Sequence, residues 1–525
     1  MLWQDRAKPF SLAFNLALAA IIAAPSLVSA QAPSETAPLR GPLGLPSDQG
    51  VPGDPKIELL PPTEKDPAKP PPSFWEKNPP YRSIPKLGNL PVLPSGPGNY
   101  SLRDWWEGNY REAPPKFPYP RFAVMPFDFY DVNFNYLDSP SNQEHDWSDC
   151  LHRIHLGDNW LLSSGGEVRY MYMNFNSFAL SGKDDDKNLL RTRVYGDLWF
   201  RDRFRVFVEF LDAQSYGNVL PPQVTDVDHS DLMNAFIDVK IADIADKPTY
   251  LRVGRQTVYL GSQRLLGQLD WVNTNRTFQG ARAFRQGEKF DVDMFYLQPV
   301  IPNATKFDWV DTQQTLSGLW TTYRPQKGHF IDVYDMVSRN RNETSKLGLN
   351  TGSFDLNTLG ARYLGNKDET FYWDFEAMFQ TGQQGSAHNI LAQAATAGLG
   401  WHWKDAPLNP TVWAYFDYAS GDHNPGAGRS TTFNQLFPFG HYYLGWLDLV
   451  GRQNIIDPNL HLYLYPTNWT TIWIQYHHFW LANANDALYN AAGNPILRDP
   501  TGRAGRDVGD EFDFTVNFTL SKHTN

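Results

Sequence analysis

From about Leu151 onward, apolar and polar side chains alternate in short runs broken by Gly, Asp, Asn and Pro. The run "RFRVFVEFLD" puts Phe204, Val206, Val208 and Phe210 on one face, and Arg203, Arg205 and Glu209 on the other. In "LMNAFIDVKI", Met233, Ala235, Ile237, Val239 and Ile241 oppose Asn234, Asp238 and Lys240. "KFDVDMFYL" sets Phe290, Val292, Met294 and Tyr296 against Lys289, Asp291 and Asp293. "FYWDFEAMFQ" and "EFDFTVNFTL" repeat the scheme, with Phe371 to Phe379 and Phe512 to Leu520 as their apolar sets. A period of two is the mark of a strand, because successive side chains leave opposite faces. Such runs recur over roughly 370 residues and, at about 20 residues per strand and connection, predict about 16–18 strands.

A β-sandwich alternates as well, with its apolar face inward. Two features favour a membrane barrel. The polar face is charged on strand after strand, as a water-filled lumen requires, and the series is too long for one sandwich and has no helical blocks. The expected fold class is all-β: a transmembrane antiparallel β-barrel preceded by a proline-rich disordered leader. A barrel of this size has an aqueous channel.

The rest of the chain fits that class. Arg6 and Lys8, the apolar "SLAFNLALAAIIAA" and the small residues Val28–Ala30 read as a secretory signal over residues 1–30, cleaved near Ala30. Its apolar part is shorter than the ~20 residues of a spanning helix. No later run is long and apolar enough for one. Residues 31–98 hold 18 of the 40 prolines, which favours an extended, solvated spacer or tether. Residues 99–150 are aromatic and irregular and read as either a lead-in or a plug; the barrel is expected over 151–525. Cys150 is the only cysteine, so no intramolecular disulfide supports the fold. A net charge of −11 excludes a basic nucleic-acid footprint, and the 14% aromatic content suits interfacial girdles.

One stretch stands out chemically. "VGRQTVYLGSQRLLGQLDWVNTNRTFQGARAF" (Val253–Phe284) packs Arg255, Arg264, Arg276 and Arg282 among strand patterns. A central arginine facing lipid costs ~2–4 kcal/mol, so most of these should face inward. Arg252, between Leu251 and Val253, has the inward phase. Arg255 is out of phase unless a bulge or strand end intervenes, which Gly254 and Gly261 allow.

Together with "LGDNWLLSSGGEVRYMY" (Leu156–Tyr172), "ASGDHNPGAGRSTTFNQLFPFGHYYLGWLDLVGRQNI" (Ala419–Ile455) and "GDEFDFTVNFTL" (Gly509–Leu520), this stretch resembles the alginate export family of outer-membrane barrels. The resemblance implies 18 strands and a positively charged constriction passing an anionic polyuronate outward. Arginine suits that cargo, because its planar fork grips carboxylates. Resemblance and strand phase together nominate Arg191, Arg193, Arg252, Arg276, Arg282 and Arg362 as lumen-lining, with Arg255 and Arg264 beside them. The alternative is that these arginines pair with Asp197, Asp238, Asp374 or Glu376 and brace the wall.

Other candidates carry less. "KDDDK" (Lys183–Lys187) reads as a solvated turn; Asp422 and His423, and His152 and His155, lack further ligands at metal spacing; His477 and His478 point to opposite faces of a strand. No nucleophile elbow, metalloprotease helix motif or phosphate-cradling loop is present. The expectation is a Gram-negative outer-membrane channel, not an enzyme, with no cofactor and no metal. Its partners would be an anionic polysaccharide, outer-membrane lipid and periplasmic components of a secretion complex. The alternatives are a porin-like channel for small anionic solutes and a secreted carbohydrate-binding protein or enzyme.

Overall fold

The alternating runs form one antiparallel sheet of 18 strands in a computed structural model that describes residues 86–525, apart from 123, 125–127, 351 and 386–387. The signal segment and most of the proline-rich spacer lie outside the described residues. Two members of the sheet, Ile154–Leu156 and Trp309–Val310, are short. The other sixteen run from Trp160–Phe175 to Asp507–Phe518 and range from 9 to 17 residues. That is long enough for tilted strands to cross a bilayer, which takes ~9–11 residues. Consecutive long strands pair antiparallel, for example Phe204–Tyr216 with Asp228–Ile244 and Phe371–Gln384 with His388–His402.

The two ends of the barrel differ. At one end the connections are short. Ala245 and Asp246, both with positive φ, form the two-residue turn between Asp228–Ile244 and Lys247–Gln256; this turn type matches strand twist. At the other end lie long connections at 257–277, 420–454 and 482–506. Short turns on one side and long loops on the other are characteristic of outer-membrane barrels.

The outward face is apolar. Phe210, Phe375, Phe379, Phe512 and Phe514 are all exposed on it, as are Ile237, Val239 and Val333. Toward the short-turn end this face gathers aromatic pairs: Phe290–Tyr323, Trp160–Phe200, Phe371–Trp401 and Trp469–Phe518, with centroids 4.5 to 6.1 Å apart. Amphipathic rings at one height form the girdle expected at a membrane interface. No helix among the described residues is long and apolar enough to cross a membrane; this chain crosses with strands.

Met233 departs from the expected phase. It is the extra residue of a bulge, since Glu209 pairs with Asn234 and Phe210 with Leu232. The insertion turns Met233 inward, where it is buried with Leu211 and Ala213.

The interior is filled rather than open. Inward aromatic residues, among them Trp320, Tyr334, Trp413, Tyr415 and Trp473, pack with Val258, Leu260 and Leu266 of the 257–277 loop and with Phe433, Phe439 and Tyr442 of the 420–454 loop. Leu87 and Phe122 join that cluster from the segment preceding the barrel. Phe129, Tyr130, Val132 and Phe134 pack on the inward Tyr195, Phe207 and Phe236. Residues 86–98, compositionally the end of the spacer, also lie against the interior: Gly88 N–H donates to the Tyr443 hydroxyl at 3.0 Å and Asn89 N–H to that of Tyr415 at 2.6 Å. Near the short-turn end, the helix Leu102–Glu107 is joined to the end of the Asp507–Phe518 strand, Leu102 N–H donating to the Thr519 carbonyl at 2.9 Å.

Candidate functional site

The strand alternation that puts phenylalanines outside puts guanidinium groups inside. Arg191, Arg193, Arg252, Arg282 and Arg362 are all buried on inward positions of their strands. Register decides their neighbours. Arg252 stands opposite both Asp238 and Arg282; Arg362 stands opposite Asp332 and Glu376. Like charges facing each other across a ladder are unfavourable, so each needs an acid on its other side. Arg282 finds Asp293 at 2.5 Å, and Arg252 finds Asp238 at 2.7 Å.

Three clusters result. In the first, Arg191 contacts Glu167 at 2.6 Å and Asp270 at 3.2 Å, and Arg193 contacts Glu209 at 2.7 Å and Asp270 at 3.1 Å. In the second, Arg205 binds Asp197 at 2.7 Å and reaches Asp238, which it shares with Arg252. The Arg252 guanidinium lies 3.7 Å from the Phe236 ring centroid and 4.6 Å from that of Tyr130, a cation–π arrangement out of water.

The third cluster is built on the long loop. Arg264 extends its fork to Asp374 at 2.8 Å and Glu376 at 2.9 Å, and its guanidinium is 4.3 Å from the Tyr443 ring. Arg362 holds the other oxygen of Asp374 at 2.7 Å and donates to the Lys86 carbonyl at 2.5 Å. Ser262 and Tyr334 hydroxyls donate to Glu376 at 2.7 and 2.9 Å. Gly88 passes directly over this cluster. A Cβ there would fall within 2.8 Å of Arg264 Nη2 and 2.9 Å of the Tyr415 hydroxyl, so the close approach requires glycine.

The remaining two predicted arginines are placed differently. Arg255 is half-buried at its strand end, between Asp231 at 3.4 Å and Asp308 at 3.6 Å. Arg276 sits on the 257–277 loop and donates to the Gly267 and Pro438 carbonyls at 3.1 and 2.9 Å. Among the described residues it has no carboxylate within ion-pair distance. Burial lowers its pKa to about 9, which leaves it charged at neutral pH.

Asp197, Asp238, Asp374 and Glu376, the acids weighed as wall braces, all stand in ion pairs. Sequence reasoning did not assign Glu167, Glu209 or Asp270 as partners of the arginines and did not nominate the buried Arg452, which binds Asp417 at 2.5 Å. A signal for Arg452 existed: Gly451–Gln453 repeats the Gly-Arg-Gln of Gly254–Gln256. Lys187, in the segment read as a solvated turn, is buried and grips both oxygens of Asp226 at 2.8 and 2.9 Å, whereas Lys183 and Asp184 are exposed. His477 is buried against Asp457 at 2.9 Å; His478 is on the outer side with Asp510 at 2.7 Å.

One contact between the lead-in segment and the long loop is set to respond to pH. Thr257 Oγ1 donates to Asp128 at 2.6 Å, and the Tyr130 hydroxyl donates to the Thr257 carbonyl at 2.8 Å. Burial pushes the Asp128 carboxyl up to about 7, against the lowering effect of its hydrogen bonds. A raised carboxyl pKa means the folded state favours the proton. The contact is therefore strongest below the ordinary carboxylate value near 4 and weakens, on the order of a few kcal/mol, as pH rises through 7. Hydrogen exchange of residues 128–134 should accelerate between pH 5 and 8, and Asp128→Asn should flatten that change; equal slopes in the two proteins would remove Asp128 as the cause.

Solved structures with a similar course include OccD3 (OpdP) of Pseudomonas aeruginosa, at TM-score 0.41 and 11% identity over 68% of this chain and 80% of that one. OpdO of the same organism aligns at TM-score 0.43 and 12% identity over 64% and 83%. OccAB4 of Acinetobacter baumannii aligns at TM-score 0.41 and 11% identity over 68% and 97%. No curated protein matches the chain. The sequence model described as alginate export matches residues 160–525, the whole span from the first long strand onward. The chain thus belongs to the alginate export family and is an outer-membrane β-barrel channel.

Proposed function

We propose that this barrel passes an anionic exopolysaccharide, alginate or a similar polyuronate, outward through its arginine-bearing lumen. The observation that carries the reading is unused donor capacity. Among the described residues Arg193 Nη2, Arg264 Nε, Arg362 Nη2 and Arg452 Nη2 are buried N–H groups with no partner, although an acid holds another nitrogen of each fork. An unpaired buried donor is costly, and a passing carboxylate would satisfy it. The paired acids keep each guanidinium oriented and moderate its grip. Sites of that kind are strong enough to admit a polyanion and weak enough to release it. No nucleotide-cradling motif is present, so movement is passive, driven by polymer synthesis behind the channel.

Passage requires the lead-in segment and the inward loops to give way, since Leu87, Phe122 and Leu266 occupy the interior. That filling supports a second reading, in which the channel carries small anionic solutes through the gaps left around these groups. Single-channel recording separates the two. Under the export reading, polymannuronate added on the short-turn side interrupts the current of the full chain, less so as salt is raised, while a neutral dextran of equal length does not. Absence of interruption with retained anion preference would favour the small-solute channel, and loss of both would remove the polyanion role.

A further inference from the structure

Apart from the paired arginines, two guanidinium groups meet at one cavity. The cavity is at the long-loop end, has a volume of about 690 Å³ and is lined by Arg276 and Arg429. Its size is within the ~300–1,000 Å³ typical of ligand sites. Arg276 Nη1 is fixed by the Gly267 and Pro438 carbonyls, which aims the fork; its Nε and Nη2 have no partner among the described residues. Arg429 is exposed and has no ion pair among them. Against these two cations the lining offers one carboxylate, Asp422. Gln314 and Asn494 also line it, with carboxamides that make no side-chain hydrogen bond among the described residues, and Asn340 contributes a third amide. Arg121 and Arg169 are likewise held by carbonyls rather than by an ion pair; here two guanidinium groups without an ion pair among the described residues line one cavity, beside amides suited to hydroxyl groups.

We propose that this cavity is a binding site for an acidic oligosaccharide, with Arg276 and Arg429 taking carboxylates on neighbouring sugar units and Gln314, Asn340 and Asn494 taking their hydroxyls. The proposal rests on the polyuronate reading of the cargo and adds a holding point at the long-loop end of the barrel. A carboxylate bound to the fixed fork of Arg276 gains a charge-assisted bond with little loss of side-chain freedom. Arg429, exposed at the rim, supplies the second grip and sets the minimum length of the ligand at more than one sugar.

The test uses the full chain in detergent and tetramannuronate as probe, followed by calorimetric titration at fixed salt. Wild type should bind the tetramer, monomeric mannuronate should bind more weakly, and uncharged mannotetraose should not compete. Arg276→Gln with Arg429→Gln should weaken tetramer binding roughly tenfold or more, as expected for losing two charged hydrogen-bond partners. Because Arg276 also ties Gly267 to Pro438, Arg429→Gln alone serves as a second variant; it removes no hydrogen bond or ion pair among the described residues and should weaken binding by several-fold. Unchanged affinity in both variants overturns the site. Current interruption by polymannuronate in a wild type that does not bind the tetramer overturns the site alone, whereas absence of both overturns the polyuronate reading with it.

Discussion

Arg264→Met should destabilise the barrel by about 3–5 kcal/mol, the cost of leaving a buried charge without its partner. Arg264, Asp374 and Glu376 are each buried almost completely. After the substitution Asp374 keeps Arg362 and the Tyr415 hydroxyl, but Glu376 keeps only the hydroxyls of Ser262 and Tyr334. The 257–277 loop loses one of its charged attachments to the wall at the same time and keeps Asp270 against Arg191 and Arg193. Removing Glu376 as well, in Arg264→Met with Glu376→Gln, should recover a large part of the loss, because it is the uncompensated carboxylate that costs most. Equilibrium urea unfolding of the protein in short-chain lipid vesicles reads both variants. Equal stability of the single and double variants would show that the cluster is not coupled as its geometry indicates.

Ala377→Arg should cost ~2–4 kcal/mol in the same assay, the penalty for an arginine at the bilayer midplane on the lipid face of a barrel. Ala377 pairs with Ala361 and Ala395, and Ala361 pairs with Val333, giving an outward row of small apolar residues midway along their strands. The control is Asp405→Arg in the connection after the His388–His402 strand, where a surface change should stay within ~0.5 kcal/mol. An Ala377→Arg protein as stable as the control would mean that this face does not meet lipid, and the membrane assignment would fall with it.

The two faces of the wall were legible because period two is a local property. Val206, Val208 and Phe210 announce their side without any knowledge of neighbours, as do Phe512 and Phe514. Phe207 is on the opposite phase and is buried inside with Tyr130; a wet lumen would have no use for it. Its presence among inward charges was the available hint that something packs there. What packs there was not readable, because the 257–277 and 420–454 loops have no periodicity to place them and their inward course depends on partners distant in sequence. The Met233 bulge was hidden for a related reason, since one extra residue leaves composition unchanged and shifts only the register. The same limit applies to the arginines. Their inward phase is local, but whether each has an acid depends on which strand lies opposite and on where a loop such as the one bearing Asp270 comes to rest. Arg264 and Arg276 are twelve residues apart on one loop, yet the first has two carboxylates and the second has none among the described residues.

The acids standing beside the lumen arginines have a consequence for how fast a polymer could travel. A carboxylate arriving at Arg193 or Arg362 does not meet a bare cation; it meets one already engaged by Glu209 or Asp374. Under the polyuronate reading the arriving carboxylate takes the open Nη2 donor while the acid keeps the rest of the fork, and it leaves without either acid having moved. On that reading each sugar would move to the next guanidinium without first climbing out of a deep well, so the wall would offer low friction to a carboxylate-bearing polymer.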